Sequence, residues 1–226
     1  MIELGYYCLV VCLLLCVYGL AASVVGGVTK NLPLIRSGEN SVVAHFAILV
    51  AAAVCLWYLF LTDEFIVEYV AGYSSSTIPT RFKFTAFWGG QQGSLLLWAL
   101  VLSLFSFLVV IQNRSRNRAL MPYTTATLLG IILFFMVVLN FATNPFNTLE
   151  VAPPDGRGLN PLLQNYYMII HPPMLFLGYV GLAVPFAFAM GALMSGRLDT
   201  SWITTTRRWT LVAWVFLTFG ITLGGA

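Results

Sequence analysis

Charge is what this sequence has least of. Only 8% of its 226 residues are Asp, Glu, Lys or Arg, against about 25% in a soluble globular domain. A water-soluble core of this size needs a charged shell, and this chain has too few charges to build one, which excludes a self-contained soluble enzyme or binding domain. Histidine is almost missing as well, with His45 and His171 the only two. The four cysteines, Cys8, Cys12, Cys16 and Cys55, form no C-x-x-C and no Cys/His metal spacing. All lie inside apolar runs, so they report no redox compartment. The N-terminus lacks the basic n-region of a signal peptide, carrying Glu3 instead, and its apolar stretch is too long for an h-region. It reads as a retained first helix. Internal repeats and low-complexity tracts are absent, and no nucleic-acid partner is expected.

What fills the chain instead is apolar sequence. Hydrophobic residues make up 59% of it, and they come in runs of roughly 20 or more, the length that crosses a hydrocarbon core of about 30 Å. The runs predict an all-α polytopic membrane protein of about six transmembrane helices, forming one transmembrane domain over residues 1–226. The helices are expected at about 4–28, 41–61, 89–111, 123–142, 172–193 and 209–226, with long outer loops at 62–88 and 143–171. Orientation follows from the positive-inside rule. The short loops hold Lys30, Arg36, Arg114, Arg116, Arg118, Arg197, Arg207 and Arg208, while the other side holds Arg81, Lys83 and Arg157. The short loops therefore face the cytoplasm, and the N-terminus and long loops face out. The sixth apolar run stops at Gly224-Gly225-Ala226 without a polar flank, so the chain reads as cut, or as completed by another chain.

Few residues carry chemistry. A residue before proline is pushed toward extended backbone, and proline suits a first helical turn. The order His171-Pro172-Pro173 therefore predicts His171 at the cap of the fifth span. The span from 174 to 194 covers about 31 Å at 1.5 Å per residue, which leaves His171 at the outer interface. A rigid imidazole there suits axial ligation of a porphyrin iron; a plain capping or interfacial role also fits, and position alone favours it. His45, near the inner end of the second span, is an intramembrane ionisable group and so a functional candidate, although near a helix end it can snorkel or bond to a neighbouring helix, and that structural reading is favoured. Cys8, Cys12 and Cys16 form one helical stripe, which reads as small-residue packing rather than a ligand set. Glycines in Trp88-Gly-Gly-Gln-Gln-Gly-Ser94 allow close approach of a helix or a flat ligand. Trp88 is a candidate to stack on a ring, or a member of an aromatic belt. The segment Pro153-Pro-Asp-Gly-Arg-Gly-Leu-Asn-Pro161 has the turn residues of an ordered loop. Its Arg157 is placed to pair with a carboxylate, a haem propionate or a protein group.

Taken together, these segments resemble one family. Trp88-Gly-Gly-Gln-Gln-Gly-Ser-Leu-Leu-Leu-Trp98, Thr143-Asn-Pro-Phe146, Gly156-Arg-Gly-Leu-Asn-Pro-Leu-Leu-Gln164 and His171-Pro-Pro-Met-Leu-Phe-Leu-Gly-Tyr-Val-Gly181 occur in order. Ser195-Gly-Arg-Leu-Asp199 and the closing run from Trp209 to Gly224 complete the set. They resemble the N-terminal part of CcmF-type cytochrome c haem lyases, of the haem-handling protein superfamily. The resemblance implies a membrane subunit of cytochrome c maturation that binds haem b at the outer face, with His171 as the iron ligand. Trp88 and Arg157 are the other candidates for contact with it. The haem vinyl groups are joined in that family to the two thiols of a C-x-x-C-H motif in apocytochrome c. Implied partners are the remaining part of the haem lyase, a haem chaperone, and apocytochrome c with its thiol-reducing partner. The implied setting is the bacterial inner membrane, with the mitochondrial inner membrane as the alternative. The family's tryptophan-rich haem-binding segment and its further histidines are expected beyond residue 226, and His45 matches none of them. The chain is therefore not expected to attach haem alone. A haem or small-solute transporter and a ligand-free assembly subunit are the alternative readings.

Overall fold

The computed structural model describes residues 1–197 and 199–225, with the side chains of 162, 168 and 201 left aside. It is helical throughout; the one β feature among the described residues is an isolated bridge, Val67 to Thr148. In chain order the helices are α1 (Ile2–Thr29), α2 (Leu32–Leu61), α3 (Glu68–Tyr73), α4 (Thr80–Ala86), α5 (Gln91–Asn113) and α6 (Met121–Phe141). They continue with α7 (Tyr166–Gly181), α8 (Ala183–Ser195) and α9 (Ser201–Gly224).

The distribution of polarity is that of a membrane protein. Leu14, Tyr7, Phe134, Phe141, Trp214 and Ile221 point outward, while His45, Ser103, Ser106, Thr124 and Thr125 are buried. Water would reverse that order, and lipid tolerates it. Between lipid-facing helices there is no hydrophobic driving force, so close packing must hold the bundle. The α1–α2 pair does this with glycine. A Cβ on Gly38 would meet the Ser23 hydroxyl at 2.3 Å, and one on Gly19 would overlap the Ser41 hydroxyl.

Five segments are long and apolar enough to cross a membrane: Ile2–Thr29, Leu32–Leu61, Gln91–Asn113, Met121–Phe141 and Ile169–Ser195. The polytopic all-α reading with about six spans holds, with five segments passing this measure among the described residues. The sixth segment is a helix, α9, but Arg207 and Arg208 occupy its second turn and shorten its apolar part; Ala226, in the expected span, lies outside the described residues. The second span is longer than expected. Asn31 caps α2, accepting from the Leu34 N–H at 3.3 Å, and Pro33 sits in its first turn. The α1–α2 connection therefore shrinks to Lys30, which is left-handed, and Asn31. Arg36, expected in that loop, is helical.

The fifth span divides at Leu182 into α7 and α8. Pro185 explains the break: it has no N–H to give the Gly181 carbonyl four residues back, and its ring crowds that carbonyl. Both long loops are partly helical; the first runs over 62–90, slightly longer than expected, and the second is shorter, 142–165. They contain α3, α4 and a 3-10 turn at Pro161–Leu163, and α7 begins at Tyr166.

Candidate functional site

His171 lies in the second turn of α7, not at its cap, and Pro172 and Pro173 follow inside the helix. The backbone bias of a residue before proline is overridden here by packing on either side. Two residues earlier, Ile169 packs toward the buried group Ile78, Phe82 and Leu159. Across from it, the His171 Nδ1 stands 2.8 Å from the carbonyl oxygen of Gly220 on α9. A carbonyl only accepts, so Nδ1 carries the proton and Nε2 keeps its in-plane lone pair. That arrangement is common for a metal-ligating histidine, where a carbonyl on the far nitrogen fixes tautomer and ring orientation.

Glycine makes the arrangement possible. A Cβ at Gly224 would come 2.5 Å from the imidazole Cε1, and one at Gly178 would come 2.3 Å from the Leu217 backbone nitrogen. Gly220 and Gly224, four residues apart, form a small-residue face of the kind that lets transmembrane helices approach closely. Sequence reasoning missed Gly220 as the imidazole's partner, although the glycine spacing in Gly220-Ile-Thr-Leu-Gly224 was the available signal.

Trp88 is enclosed by protein, 7% exposed, with Phe84 and Phe87 against it edge-on. The glycines after it serve chain packing. The Gly90 N–H donates to the Tyr69 hydroxyl at 3.0 Å, and that hydroxyl donates to the Phe87 carbonyl at 3.0 Å. Burial pushes the Tyr69 phenol above its ordinary pKa. Gly89 leaves room for Leu159, whose Cδ1 lies 3.0 Å from where a Cβ would stand. Leu159 is therefore the junction at which three sequence segments converge: Trp88-Gly89-Gly90, Gly158-Leu159-Asn160 and Ile169-Ile170-His171.

Arg157 is exposed on the wall of a cleft of about 650 Å³ that Glu68, Tyr73 and Asp155 also line. Its backbone is fixed: the Arg157 N–H reaches the Ala71 carbonyl at 2.7 Å, and the Gly158 N–H, at φ 81°, reaches that of Ser74 at 2.9 Å. Asp155 accepts from the Ser76 N–H and hydroxyl, at 2.8 and 2.7 Å, which holds its carboxyl below the ordinary range. Arg157 and His171 share no hydrogen bond among the described residues. The arginine and the imidazole are thus set by the same loop system without touching.

His45 sits mid-span, not near an end, because α2 begins nine residues earlier than expected. It is 0% exposed, its Nδ1 is 2.8 Å from the Ser103 hydroxyl of α5, and its Nε2 has no hydrogen-bond partner among the described residues. The Cys12 thiol reaches the His45 carbonyl at 3.6 Å. All four cysteines are free and buried. Ser103→Ala strands a second imidazole nitrogen and is expected to lower stability by about 1–2 kcal/mol, while His45→Leu combined with it should return near wild type. Unfolding in mixed micelles measures both. Additive losses in the double variant would show that the pair is uncoupled.

Comparison with known proteins agrees with this architecture. A family model for the cytochrome C assembly protein matches residues 88–226. The chain is 43% identical over 223 residues to the cytochrome c-type biogenesis protein CcmF of Pseudomonas aeruginosa, covering 98% of this chain and 34% of the relative. It is 43% identical over 187 residues to CcmF of Escherichia coli, covering 82% and 28%. A solved structure of the cytochrome c heme lyase CcmF superimposes with a TM-score of 0.84 at 28% identity, covering 97% of this chain and 34% of that one. The chain spans about a third of the length of these relatives. With the family model covering more than half of its residues, the chain belongs to the cytochrome c assembly protein family.

Proposed function

We propose that this chain is the part of a cytochrome c haem lyase that presents one axial ligand, His171, to a haem b at the long-loop end of the bundle. The observation that carries the reading is the Nδ1 bond to Gly220, at 2.8 Å, which leaves Nε2 as the free donor. The donor set fits the group. Among the described residues no three His, Cys, Asp or Glu side chains gather into a metal site. Porphyrin supplies four nitrogens itself and asks the protein only for axial ligands. When bound, haem supplies the vinyl groups that take up the cysteine thiols of apocytochrome c. His171 would hold the iron, Gly220 orients the imidazole, and Gly224 leaves room for the ring between α7 and α9. Arg157, exposed nearby in the same loop system, is the candidate partner for a propionate. Trp88 acts from within, by packing the turn that Leu159 rests on.

The rest of the lyase, a haem chaperone, and apocytochrome c with its reducing partner complete the machinery in this reading. A transporter reading draws on the break at Leu182, since broken helices mark many transporter sites. The groove beside that break is walled by Trp98, Phe135, Tyr179 and Phe186 and offers a polar solute little to bind. Haem titration of the intact protein tests the ligand: His171→Ala should weaken the His171-dependent absorbance change about tenfold or more, beyond what loss of a supporting partner costs. An unchanged titration overturns the assignment.

Orientation is part of the proposal. The eight basic residues named above at the short-loop end, against three at the other, support short loops in the bacterial cytoplasm and an N-terminus outside. Single cysteines at Lys30, Arg116 and Asp199 should resist an impermeant thiol reagent, while those at Ser76 and Asp155 react in intact spheroplasts. Labelling at Arg116 would invert the topology.

A further inference from the structure

At the short-loop end, far along the bundle from His171, the α5–α6 turn and the start of α9 enclose a polar cleft of about 730 Å³. Arg116, Arg207 and Arg208 line it, with Thr204, Thr205 and Trp209. None of the residues lining it is acidic. Among the described residues the three arginines make no ion pair, whereas neighbouring Arg118 is committed to Glu39 at 2.6 Å. Three uncompensated guanidiniums around one concavity attract an anion, and each offers a fork of N–H donors that matches phosphate oxygens.

The cleft is built rather than incidental. Asn117, with φ 51°, donates to the Asn113 side-chain oxygen at 2.8 Å and to the Thr205 hydroxyl at 3.2 Å. Asn113 in turn donates to the Val109 carbonyl at 2.8 Å. These bonds tie the α5–α6 turn to α9, so the two walls are held at a fixed separation before any ligand arrives.

Depth decides the kind of anion. Trp209 opens the apolar part of α9, and Arg207 and Arg208 immediately precede it, at the level where hydrocarbon gives way to headgroups. In the two turns after the arginines α9 exposes Leu211, Val212 and Val215, an apolar surface continuous with the bilayer. We propose that this cleft binds the phosphate headgroup of an anionic phospholipid, with the acyl chains lying along α9. The site is separate from His171 and stands whether or not the haem reading does. Phosphate is the shared chemistry of a lipid headgroup and of free phosphate, and the apolar surface below the arginines favours the lipid.

The test is native mass spectrometry of the intact protein in micelles doped with equal phosphatidylglycerol and phosphatidylcholine. Wild type should retain phosphatidylglycerol about tenfold over phosphatidylcholine, as expected where several arginines meet an anionic lipid. Arg116→Gln/Arg207→Gln/Arg208→Gln should bring the ratio to about one. If that variant fails to accumulate, Arg207→Gln/Arg208→Gln carries the same test, because neither side chain has a partner to lose among the described residues. Lys30→Gln/Arg36→Gln, at the same end but outside the cleft, should keep the wild-type preference. An equal ratio in wild type, or equal loss in this control, overturns the site. Displacement of the lipid by excess inorganic phosphate would assign the cleft to the free ion and overturn the lipid.

Discussion

In a complex restored with the rest of the lyase, His171→Ala is expected to abolish or strongly reduce cytochrome c maturation while the protein inserts and accumulates normally. The physical case rests on how little freedom the imidazole has. Pro172 and Pro173 stiffen the turn that follows it, and the Gly220 carbonyl fixes the ring from the neighbouring helix. Nε2 therefore meets an iron without first losing much rotamer entropy. Removing an axial ligand should cost more than removing a supporting partner, which already lowers metal affinity about 10–100-fold. A ligand role also predicts partial rescue by added imidazole or by His171→Cys, since either brings a donor to iron. Helix packing alone predicts neither. Covalent cytochrome stained for haem, with protein level followed by immunoblot, separates the two. Wild-type maturation by an alanine variant of normal abundance would end the ligand assignment.

Gly93→Ala should be the most damaging single methyl in the chain. A Cβ there falls 1.6 Å from the Phe87 carbonyl oxygen and 2.6 Å from the Tyr69 hydroxyl. The first obstacle is backbone of the turn that carries Trp88, so nothing yields cheaply. Overpacking of this kind costs about 3 kcal/mol or more. Gly130→Ala is the matched control, because nothing lies within 4 Å of its Cβ. In a helix interior it should raise stability by about 0.5–1 kcal/mol. Thermal unfolding of the two variants in one detergent reads the contrast directly, and equal midpoints would mean that the turn does not pack as described.

The helical, membrane-spanning character was legible because it rests on runs of apolar residues, a signal that survives without any tertiary information. Boundaries were legible only where local chemistry decided them. The α2 start was missed because Lys30 and Arg36 looked like loop, although Asn31 and Pro33 together spell a helix start and Arg118 reaches back to pair with Glu39. The break at Leu182 was written in Pro185, but an unbroken apolar run hid it. At the site, His171 was legible from its neighbours in sequence. Its partner Gly220, 49 residues away, was not, because no local rule joins an imidazole to a carbonyl on another helix. Trp88 read as a ring-stacking or belt aromatic because α4, a short helix with a weak local signal, and the turn after it cover the indole with Phe84 and Phe87.

The interruption at Leu182 makes α7 a lever. Eleven residues separate it from His171, about 16 Å of helix, so a tilt of about 5° at the break would carry the imidazole about 1.4 Å. A displacement of that size is enough to change reactivity by about 100-fold where geometry governs the chemistry. The angle of α7 is not set at the break, where backbone hydrogen bonding is weakest. It is set by α9, whose Gly220 and Gly224 lie against Leu175 and His171, and whose Leu217 lies against Gly178 of α7. Mechanical accuracy at His171 is therefore a property of the α7–α9 pair, and substitutions in the glycine face of α9 should blur the position of the imidazole before they unfold anything.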